Sequence, residues 1–190
     1  MIHKSNITGI ILAGGKSSRM GTDKGLLIFK QKPFIKHIID AMQPLVNNIV
    51  IVSDYTEHDT FGMTRIEDTI KNAGPLAGLY SGLKYSKTDF NLMVSCDVPL
   101  ITSTVLNKLI KNYEEDYDVI QLESQQKTMP LTALYNKTCQ QTIKHLLDKG
   151  ERRMRFAVSQ LKTKTIILDD NLSSTLININ TKEEFDAITN

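Results

Sequence analysis

Short apolar segments alternate along this chain with longer segments whose apolar residues recur at helical spacing. The apolar, β-branched runs predict buried strands at 7–12, 48–52 and 90–95, and shorter or more polar ones at 64–67, 117–122, 131–135 and 163–168. Apolar residues three or four apart predict helices at 34–43, 76–83, 102–113, 138–149 and 153–161. Segment 25–30 is expected to be extended, and 54–63 is polar and without a regular pattern. Thr181 and Glu184 have the spacing of a capping box and predict a last helix at the end of the sequence.

The alternation of strands and helices predicts an α/β domain with a mainly parallel sheet that is covered on both faces. At 190 residues, residues 1–190 are expected to form a single domain. Ligands of such sheets bind beyond the carboxyl ends of the strands. Residues that directly follow the predicted strands are therefore the first candidates for a functional site.

The composition mainly argues against particular classes of protein and of site. The 41% hydrophobic and 23% charged residues are ordinary, and a net charge of +2 gives no electrostatic footprint for nucleic acid or an anionic membrane. Two cysteines without a C-x-x-C pattern predict reduced thiols, and the four histidines have no metal-ligand spacing. The first apolar run is too short to span a membrane, and no cleavage pattern follows it. We expect a cytoplasmic protein, monomeric because nothing in the sequence demands more.

The first predicted strand ends in two adjacent glycines, Gly14 and Gly15, and cations follow. Glycine lets a ligand approach the backbone closely, while Arg19 and Lys24 supply positive charge suited to phosphate oxygens. The spacing matches neither a P-loop nor the dinucleotide fingerprint. The segment predicts a nucleoside triphosphate site of another kind, and a plain glycine turn is the alternative.

Two acidic residues follow predicted strands. Asp97 comes directly after the run at 90–95, where a buried carboxylate must be paired or bound to a metal, and Mg²⁺ is the usual solution beside phosphates. Its alternative role is to cap the following turn. Asp68 ends a shorter strand and could hold a base or ribose, or simply belong to a surface turn. Asp97 and the glycine loop are expected to meet at one edge of the sheet.

Three further features carry possible ligand contacts. A Gly-Pro turn leads into a helix whose small residues, including Gly78, allow close packing. The run 150–155 contains three arginines, which form either a solvated helix end or a second anion site. Asn178 and Asn180 lie two apart and would share one face of an extended segment, unless they form an Asx turn or a helix cap.

Together these motifs resemble the molybdenum cofactor guanylyltransferases of the MobA type. The resemblance begins with Leu12-Ala13-Gly14-Gly15-Lys16-Ser17-Ser18-Arg19-Met20-Gly21 and Asp23-Lys24-Gly25-Leu26-Leu27. It continues in order through 66–68, 74–78, 96–99, 130–135, 150–153 and 177–181. The first motif, taken loosely, is shared with many sugar-nucleotidyl transferases, whereas the full ordered set is much more specific.

The resemblance implies a three-layer α/β/α, Rossmann-like nucleotidyltransferase fold. It also implies transfer of GMP from GTP to molybdenum-bound molybdopterin, giving the guanine dinucleotide cofactor and pyrophosphate. GTP, Mg²⁺ and molybdenum-molybdopterin are the implied ligands, and accessory and acceptor molybdoenzyme proteins are the implied partners. The N-terminal part would bind GTP and the C-terminal part molybdopterin.

The residues of the family motifs carry these implied roles at matching positions. Catalytic roles fall on Arg19, Lys24 and Asp97, with Asp97 also the metal ligand. The GTP-binding residues would be Leu12, Ala13, Gly14, Gly15, Lys24, Asp68, Gly78 and Asp97. The molybdopterin-binding residues would be Arg152, Arg153, Asn178 and Asn180. One departure is Ser53, which stands where relatives are expected to have an asparagine that contacts the base.

Other functions remain possible from the sequence. A related transferase could use CTP or a sugar 1-phosphate, and spacing alone does not settle the base. A nucleotide-binding regulator would not need Arg19, Lys24 and Asp97 together, since a sensor can bind without the metal ligand. A dehydrogenase is disfavoured because the dinucleotide fingerprint is absent.

Overall fold

A computed structural model describes residues 2–14 and 23–189. They form a seven-stranded sheet in the order β5-β4-β1-β6-β8-β7-β9 and a small hairpin of β2 and β3. The strands are β1 Ile7–Leu12, β2 Ile28–Phe29, β3 Lys32–Pro33, β4 Asn48–Val52, β5 Thr64–Ile66, β6 Phe90–Ser95, β7 Val119–Ser124, β8 Lys127–Asn136 and β9 Thr163–Ile167. Strand β8 pairs antiparallel with both β6 and β7, while the other pairs of the large sheet are parallel.

The helices are α1 Phe34–Met42, α2 Gly74–Tyr85, α3 Ser103–Lys111, α4 Cys139–Asp148, α5 Met154–Ser159, α6 Asp170–Ser173 and α7 Lys182–Thr189. Short 3₁₀ helices occupy Lys4–Asn6, Lys24–Leu26, Thr56–Phe61 and Ser174–Leu176. The capping box at the start of α7 forms as predicted: Thr181 Oγ1 accepts from the Glu184 amide, and Glu184 accepts from the Thr181 amide. None of these helices, within the described residues, has the length and apolarity needed to cross a bilayer.

The predicted α/β class and layer order are confirmed. One face of the sheet buries the apolar sides of α1 and α3, and the opposite face packs against α2, α4 and α5. Side chains alternate between these layers along β1, where Ile11 faces the first layer and Ile10 the second. A third, smaller cluster of Phe29, Phe34 and Ile179 holds the segment before α7 against the β2–β3 hairpin.

Most element boundaries match the predictions within a few residues, but β8 begins four residues before the predicted strand at 131–135, and α6 was not predicted. Two further segments differ. The segment 25–30, expected to be extended, begins as the 3₁₀ helix Lys24–Leu26 because Asp23 Oδ1 accepts a hydrogen bond from the Gly25 amide. The irregular stretch 54–63 contains the 3₁₀ helix Thr56–Phe61. Neither segment has an apolar period that would have indicated it.

An irregularity in β8 shapes the site described below. The pairing between β7 and β8 jumps from Gln121 opposite Ala133 to Leu122 opposite Met129, so residues 130–132 form a bulge that does not pair with β7. Pro130 at this position has no amide hydrogen to contribute to a ladder. The buried Tyr135 hydroxyl donates to the Pro130 carbonyl over 2.6 Å and holds the bulge in place.

Candidate functional site

The carboxyl ends of β4, β1 and β6 lie side by side and define the site. Leu12 is in register with Val52 on one side and Ser95 on the other. Beyond the strand end, the Ala13 amide donates to the Val52 carbonyl (3.0 Å), and the Cys96 amide donates to the Leu12 carbonyl (2.9 Å). The expectation that the glycine loop and Asp97 meet at one edge is met for the described part of the loop, which ends at Gly14.

A cavity of about 490 Å³ opens above this edge; we call it the β1 cavity. It is lined by Leu12, Gly14, Val52, Asp54, Tyr55, Asp68, Asn72, Gly74, Pro75, Gly78, Ser95 and Leu131. The first turn of α2 contributes Gly74 and Pro75, and the residue before the helix makes no side-chain cap. The cavity is therefore next to free amide hydrogens and the positive end of a helix dipole.

Asp68 is the less exposed of the two acidic residues that line the β1 cavity; the other is Asp54. Asp68 Oδ1 is buried and has no hydrogen-bond partner among the described residues. Burial raises the pKa of the Asp68 carboxyl to about 6, and the negative charge of Asp54 adds to the effect. A carboxylate held in this way is available to accept hydrogen bonds from a ligand.

Small residues make room around Asp68. A Cβ atom added at Gly78 would lie 3.1 Å from Leu12 Cδ2 and 3.5 Å from Asp68 Oδ1. A Cβ atom at Gly14 would lie 4.0 Å from Asp68 Oδ2. The structure thus brings together Leu12, Gly14, Asp68 and Gly78, which the sequence placed in the GTP site; Ala13 is adjacent, buried and bonded to β4.

A second cavity of about 540 Å³, the β8 cavity, adjoins the first; both are lined by Ser95 and Leu131. Its lining is Ser95, Asp97, Val98, Thr128, Met129, Pro130, Leu131, Thr132, Arg153, Met154, Arg155, Phe156 and Asn178. The bulge at 130–132 forms the wall between the two cavities. Two ligands could therefore lie side by side across Ser95 and Leu131.

Asp97 and the two predicted asparagines meet beside the β8 cavity. The Asp97 carbonyl accepts from the Ile179 amide over 2.7 Å, which holds the asparagine segment against the end of β6. Asp97 Oδ1 and Asn178 Oδ1 are both buried and lack partners among the described residues. Burial raises the pKa of the Asp97 carboxyl, and Ser95 and the charge of Lys24 partly offset that rise.

These orphaned oxygens fit a hard divalent cation. Such ions prefer carboxylate and carbonyl oxygens, and one or two carboxylates suffice where phosphates complete the shell. Within the described residues, three or more acidic, histidine or cysteine side chains do not gather into a metal site, so a metal here depends on Asp97 and on oxygens from a ligand.

Lys24 is anchored to the same segment. Its Nζ donates to Asn180 Oδ1 over 2.7 Å, although the two residues are 156 positions apart. The next residue, Gly25, cannot carry a side chain without strain, because a Cβ there would lie 2.5 Å from Ile35 Cδ1. A residue assigned to GTP and one assigned to molybdopterin are therefore in direct contact.

A buried polar chain that sequence reasoning missed fixes the position of Lys24. Asp23 Oδ2 lies 2.8 Å from His58 Nε2, and His58 Nδ1 lies 2.8 Å from Ser53 Oγ. His58 is fully buried, and the Ser53 hydroxyl also accepts from the Tyr55 amide. Ser53 belongs to this series of polar contacts and does not line the β1 cavity.

The arginine run divides into residues with different surroundings. Arg152 donates to the Leu147 and Glu151 carbonyls at the end of α4 and does not line the β8 cavity. Arg153 does line it, held by two hydrogen bonds to Glu151 and placed 5.0 Å from the ring centre of Phe156. The Arg153 contact lowers the pKa of Glu151 to about 2. Arg155, which carried no assigned role, lines the cavity as well.

Two of the predicted site residues, Gly15 and Arg19, lie outside the described residues. Both cysteines are buried and free, and burial raises the pKa of the Cys96 and Cys139 thiols, the latter to about 12. Neither thiol lines the β1 or the β8 cavity.

Comparison with known proteins supports the resemblance drawn from the motifs. Residues 9–164 match the model of the MobA-like NTP transferase domain. A protein of Flavobacterium johnsoniae named "Probable molybdenum cofactor guanylyltransferase" is 36% identical over 96% of both chains. A protein of Vibrio parahaemolyticus named "Molybdenum cofactor guanylyltransferase" is 29% identical, over 97% of this chain and 95% of its own.

Solved structures agree on the fold. A protein of Aquifex aeolicus superposes with a TM-score of 0.81 at 28% identity, over 94% of this chain and 95% of its own. Molybdopterin-guanine dinucleotide biosynthesis protein A of Archaeoglobus fulgidus also gives 0.81, at 19% identity and 96% coverage of both chains. The family resemblance and the three-layer α/β/α fold are thereby confirmed, and the chain belongs to the MobA-like NTP transferase family.

Proposed function

We propose that this protein transfers GMP from GTP to molybdenum-bound molybdopterin and releases pyrophosphate, as residues 1–190 of a single domain. The observation that carries the proposal is the pair of adjoining cavities, separated by Ser95 and Leu131, with Asp97 and Lys24 beside their junction. The names of the relatives supply the two substrates.

GTP would occupy the β1 cavity. The Asp68 carboxylate would accept hydrogen bonds from the guanosine part, and Gly14 and Gly78 would let the nucleotide approach the backbone. Leu12 and Ala13 would line the same approach. Lys24, and Gly15 and Arg19 by family resemblance, would contact the triphosphate.

Molybdopterin would occupy the β8 cavity. Its apolar residues, including Met129, Met154 and Phe156, would pack against an organic ring, and Arg153 would attract its phosphate. Asn178 would contact it from the side of Asp97, and Asn180 would act through Lys24. Arg152 has its guanidinium on the α4 carbonyls, so it would support the loop rather than touch the ligand.

Enzymes of this family typically use a divalent metal, and here we assign Mg²⁺ to Asp97. A bound Mg²⁺ would neutralise and orient phosphate oxygens. Because both reactants are anions, the protein lowers the barrier chiefly by placing fixed charges: Lys24 beside the triphosphate and Arg153 at the acceptor. The acceptor phosphate is already ionised, so the step needs neither a general base nor a covalent enzyme intermediate.

Calorimetric titration of the purified protein with GTP, CTP and ATP, with and without Mg²⁺, tests the proposal first. A preference for GTP that needs Mg²⁺ supports it, and pyrophosphate release on addition of molybdenum-molybdopterin completes the test. A preference for CTP would assign the protein to a cytidylyl relative. Tight GTP binding without pyrophosphate release would indicate a nucleotide-binding regulator.

A further inference from the structure

The β8 cavity continues past the bulge into a smaller, more polar space of about 320 Å³, which we call the β9 recess. Thr128, Pro130 and Arg155 line both spaces. The remaining walls come from β7, β9 and the end of α5: Gln121, Val158, Ser159, Leu161, Thr163 and Thr165. The β8 cavity, where molybdopterin is proposed to bind, therefore leads into a polar recess whose residues have no role in the proposal so far.

The carboxamide of Gln121 is the main polar feature of the recess. This side chain is only 6% exposed, and its Nε2 donates to Thr165 Oγ1 over 3.0 Å. Its Oε1 is buried without a partner among the described residues. Buried polar atoms are usually paired, so an unpaired carbonyl on a residue that lines a recess indicates a ligand that donates a hydrogen.

The bulge creates the opening. Gln121 marks the last regular pair between β7 and β8 before residues 130–132 leave the ladder. A regular β8 would have continued alongside Leu122 at that point. The irregularity thus opens the recess next to Gln121, whose side-chain carbonyl is unpaired among the described residues.

Arg155 supplies hydrogen-bond donors where the β8 cavity meets the β9 recess. It is exposed on α5, and no carboxylate of the described residues lies within ion-pair distance of it, in contrast to Arg153 and its partner Glu151. Its guanidinium has five donors and no acceptor. The recess therefore combines one unpaired acceptor with one unpaired group of donors.

We propose that the β9 recess recognises the donor–acceptor edge of the acceptor substrate's heteroaromatic ring, an inference that rests on the proposed function. A pterin ring carries an amino group, a ring N–H and a carbonyl along one edge. The Gln121 carbonyl accepts from the nitrogen hydrogens, and Arg155 donates to the carbonyl oxygen. Met129 and Phe156 of the adjoining β8 cavity pack against the faces of the ring.

Unsubstituted pterin, which has no phosphate to react, is a suitable probe because its fluorescence reports binding. Titration into protein saturated with GTP gives its affinity. Gln121→Leu and Arg155→Met are each expected to weaken pterin binding about tenfold, the size of one well-placed hydrogen bond. Gln141→Leu on α4 and Lys111→Met on α3 make comparable changes at exposed positions that line neither cavity nor the recess, and they are expected to leave pterin affinity unchanged.

A change in the ligand tests the same contact without altering the protein. Lumazine has a carbonyl in place of the pterin amino group, so it offers no amino hydrogens to Gln121. The native protein is expected to bind lumazine about tenfold more weakly than pterin. That difference is expected to disappear in Gln121→Leu.

Guanine presents the same edge as pterin, so guanosine is the competitor. Weak displacement of pterin by guanosine from GTP-saturated protein supports the proposal, whereas equal displacement assigns the recess to a second guanine base and overturns it. Unchanged pterin affinity in both cavity variants, or equal affinity for lumazine and pterin, also overturns it. Failure of the proposed function is separate, since it would be seen as absent GTP binding or absent pyrophosphate release in the native protein.

Discussion

Individual side chains in this protein have roles that depend on their surroundings more than on their type. Arg152 and Arg153 are adjacent, yet the first caps the end of α4 and the second lines the β8 cavity. Asp68 and Asp97 both follow strands and are both deprived of solvent, and burial raises the pKa of each.

The raised pKa of Asp68 predicts that GTP affinity depends on pH. In the proposed site the Asp68 carboxylate accepts hydrogen bonds from the guanosine part. Burial raises the pKa of Asp68 to about 6, so ionisation is incomplete below that value. GTP binding is therefore expected to strengthen as pH rises from 5 to 7. Isothermal titration calorimetry at several pH values measures the effect. In Asp68→Asn the pH dependence of GTP affinity that comes from Asp68 should be absent, and only the dependence that comes from protonation of GTP itself should remain.

The same pKa has a consequence for stability. In the unfolded chain this carboxyl has its ordinary pKa of about 3.8, so between about pH 4 and pH 6 the folded protein binds more protons. The contribution of Asp68 to stability therefore falls as pH rises through that window. Urea unfolding at several pH values measures this effect. Between pH 4 and pH 6 the native protein should lose stability more steeply than Asp68→Asn, and a steeper loss in the variant would contradict the assignment.

Asp97→Ala tests the central charge of the site. Removing a preorganised group of this kind costs about 3–4 kcal/mol of barrier, so turnover should fall by a factor of about 100 or more. Circular dichroism and thermal unfolding should show an intact fold, since the side-chain oxygen Oδ1 has no partner among the described residues. Near-normal turnover in this variant would remove Asp97 from the mechanism.

At the scale of elements, the two hairpins depend on turns that their residues do not favour. Gln125 and Gln126 join β7 to β8 with φ of 51° and 61°, and Lys30 and Gln31 do the same between β2 and β3. Left-handed backbone costs residues other than glycine, asparagine and aspartate roughly 1 kcal/mol each. Asn-Gly is the sequence that this type of turn prefers.

The double substitution Gln125→Asn with Gln126→Gly is therefore expected to stabilise the protein by about 1–2 kcal/mol. For a domain of this size that corresponds to a rise of roughly 2–8 °C in Tm. Gln141→Gly, in the exposed part of α4, serves as the control and should lower stability by about 1 kcal/mol. A lower Tm for the double variant would show that the hairpin turn is not strained.

The elements were largely predictable because their signals are local. Apolar runs identified β1, β4 and β6, and helical spacing identified α1 and α4, since these patterns arise from burial on one face or both. The bulge at 130–132 could not be foreseen because it depends on pairing with two neighbouring strands. Only Pro130 hinted at it.

The site was predictable where its residues follow strands directly. Asp68 and Asp97 were found in this way. His58 was not, because a buried histidine in an irregular segment has no period, and its partner Asp23 comes from a distant part of the chain. Gln121 reads from sequence as one polar position of a strand, and nothing in that pattern indicates that its Oε1 lacks a partner among the described residues.

For the whole molecule, the proposed division into a GTP-binding and a molybdopterin-binding part is less sharp than the sequence order suggests. The asparagine segment is bonded to Asp97 through Ile179 and to Lys24 through Asn180. Burial of Ile179 with Phe29 and Phe34 holds that segment in place. Residues near the end of the sequence therefore position the ammonium group of Lys24, which lies near its beginning.

This connection predicts that Asn180 affects GTP binding through Lys24. Asn180→Ala is expected to weaken GTP binding about three- to tenfold, because the ammonium loses a neutral acceptor that orients it. The same change made in Lys24→Met should have almost no further effect, since the group it positions is gone. Calorimetry of both single variants and the double variant measures this coupling. The exposed Asn171→Ala is the matched control, and additive losses in the double variant would mean that Asn180 contacts the nucleotide by itself.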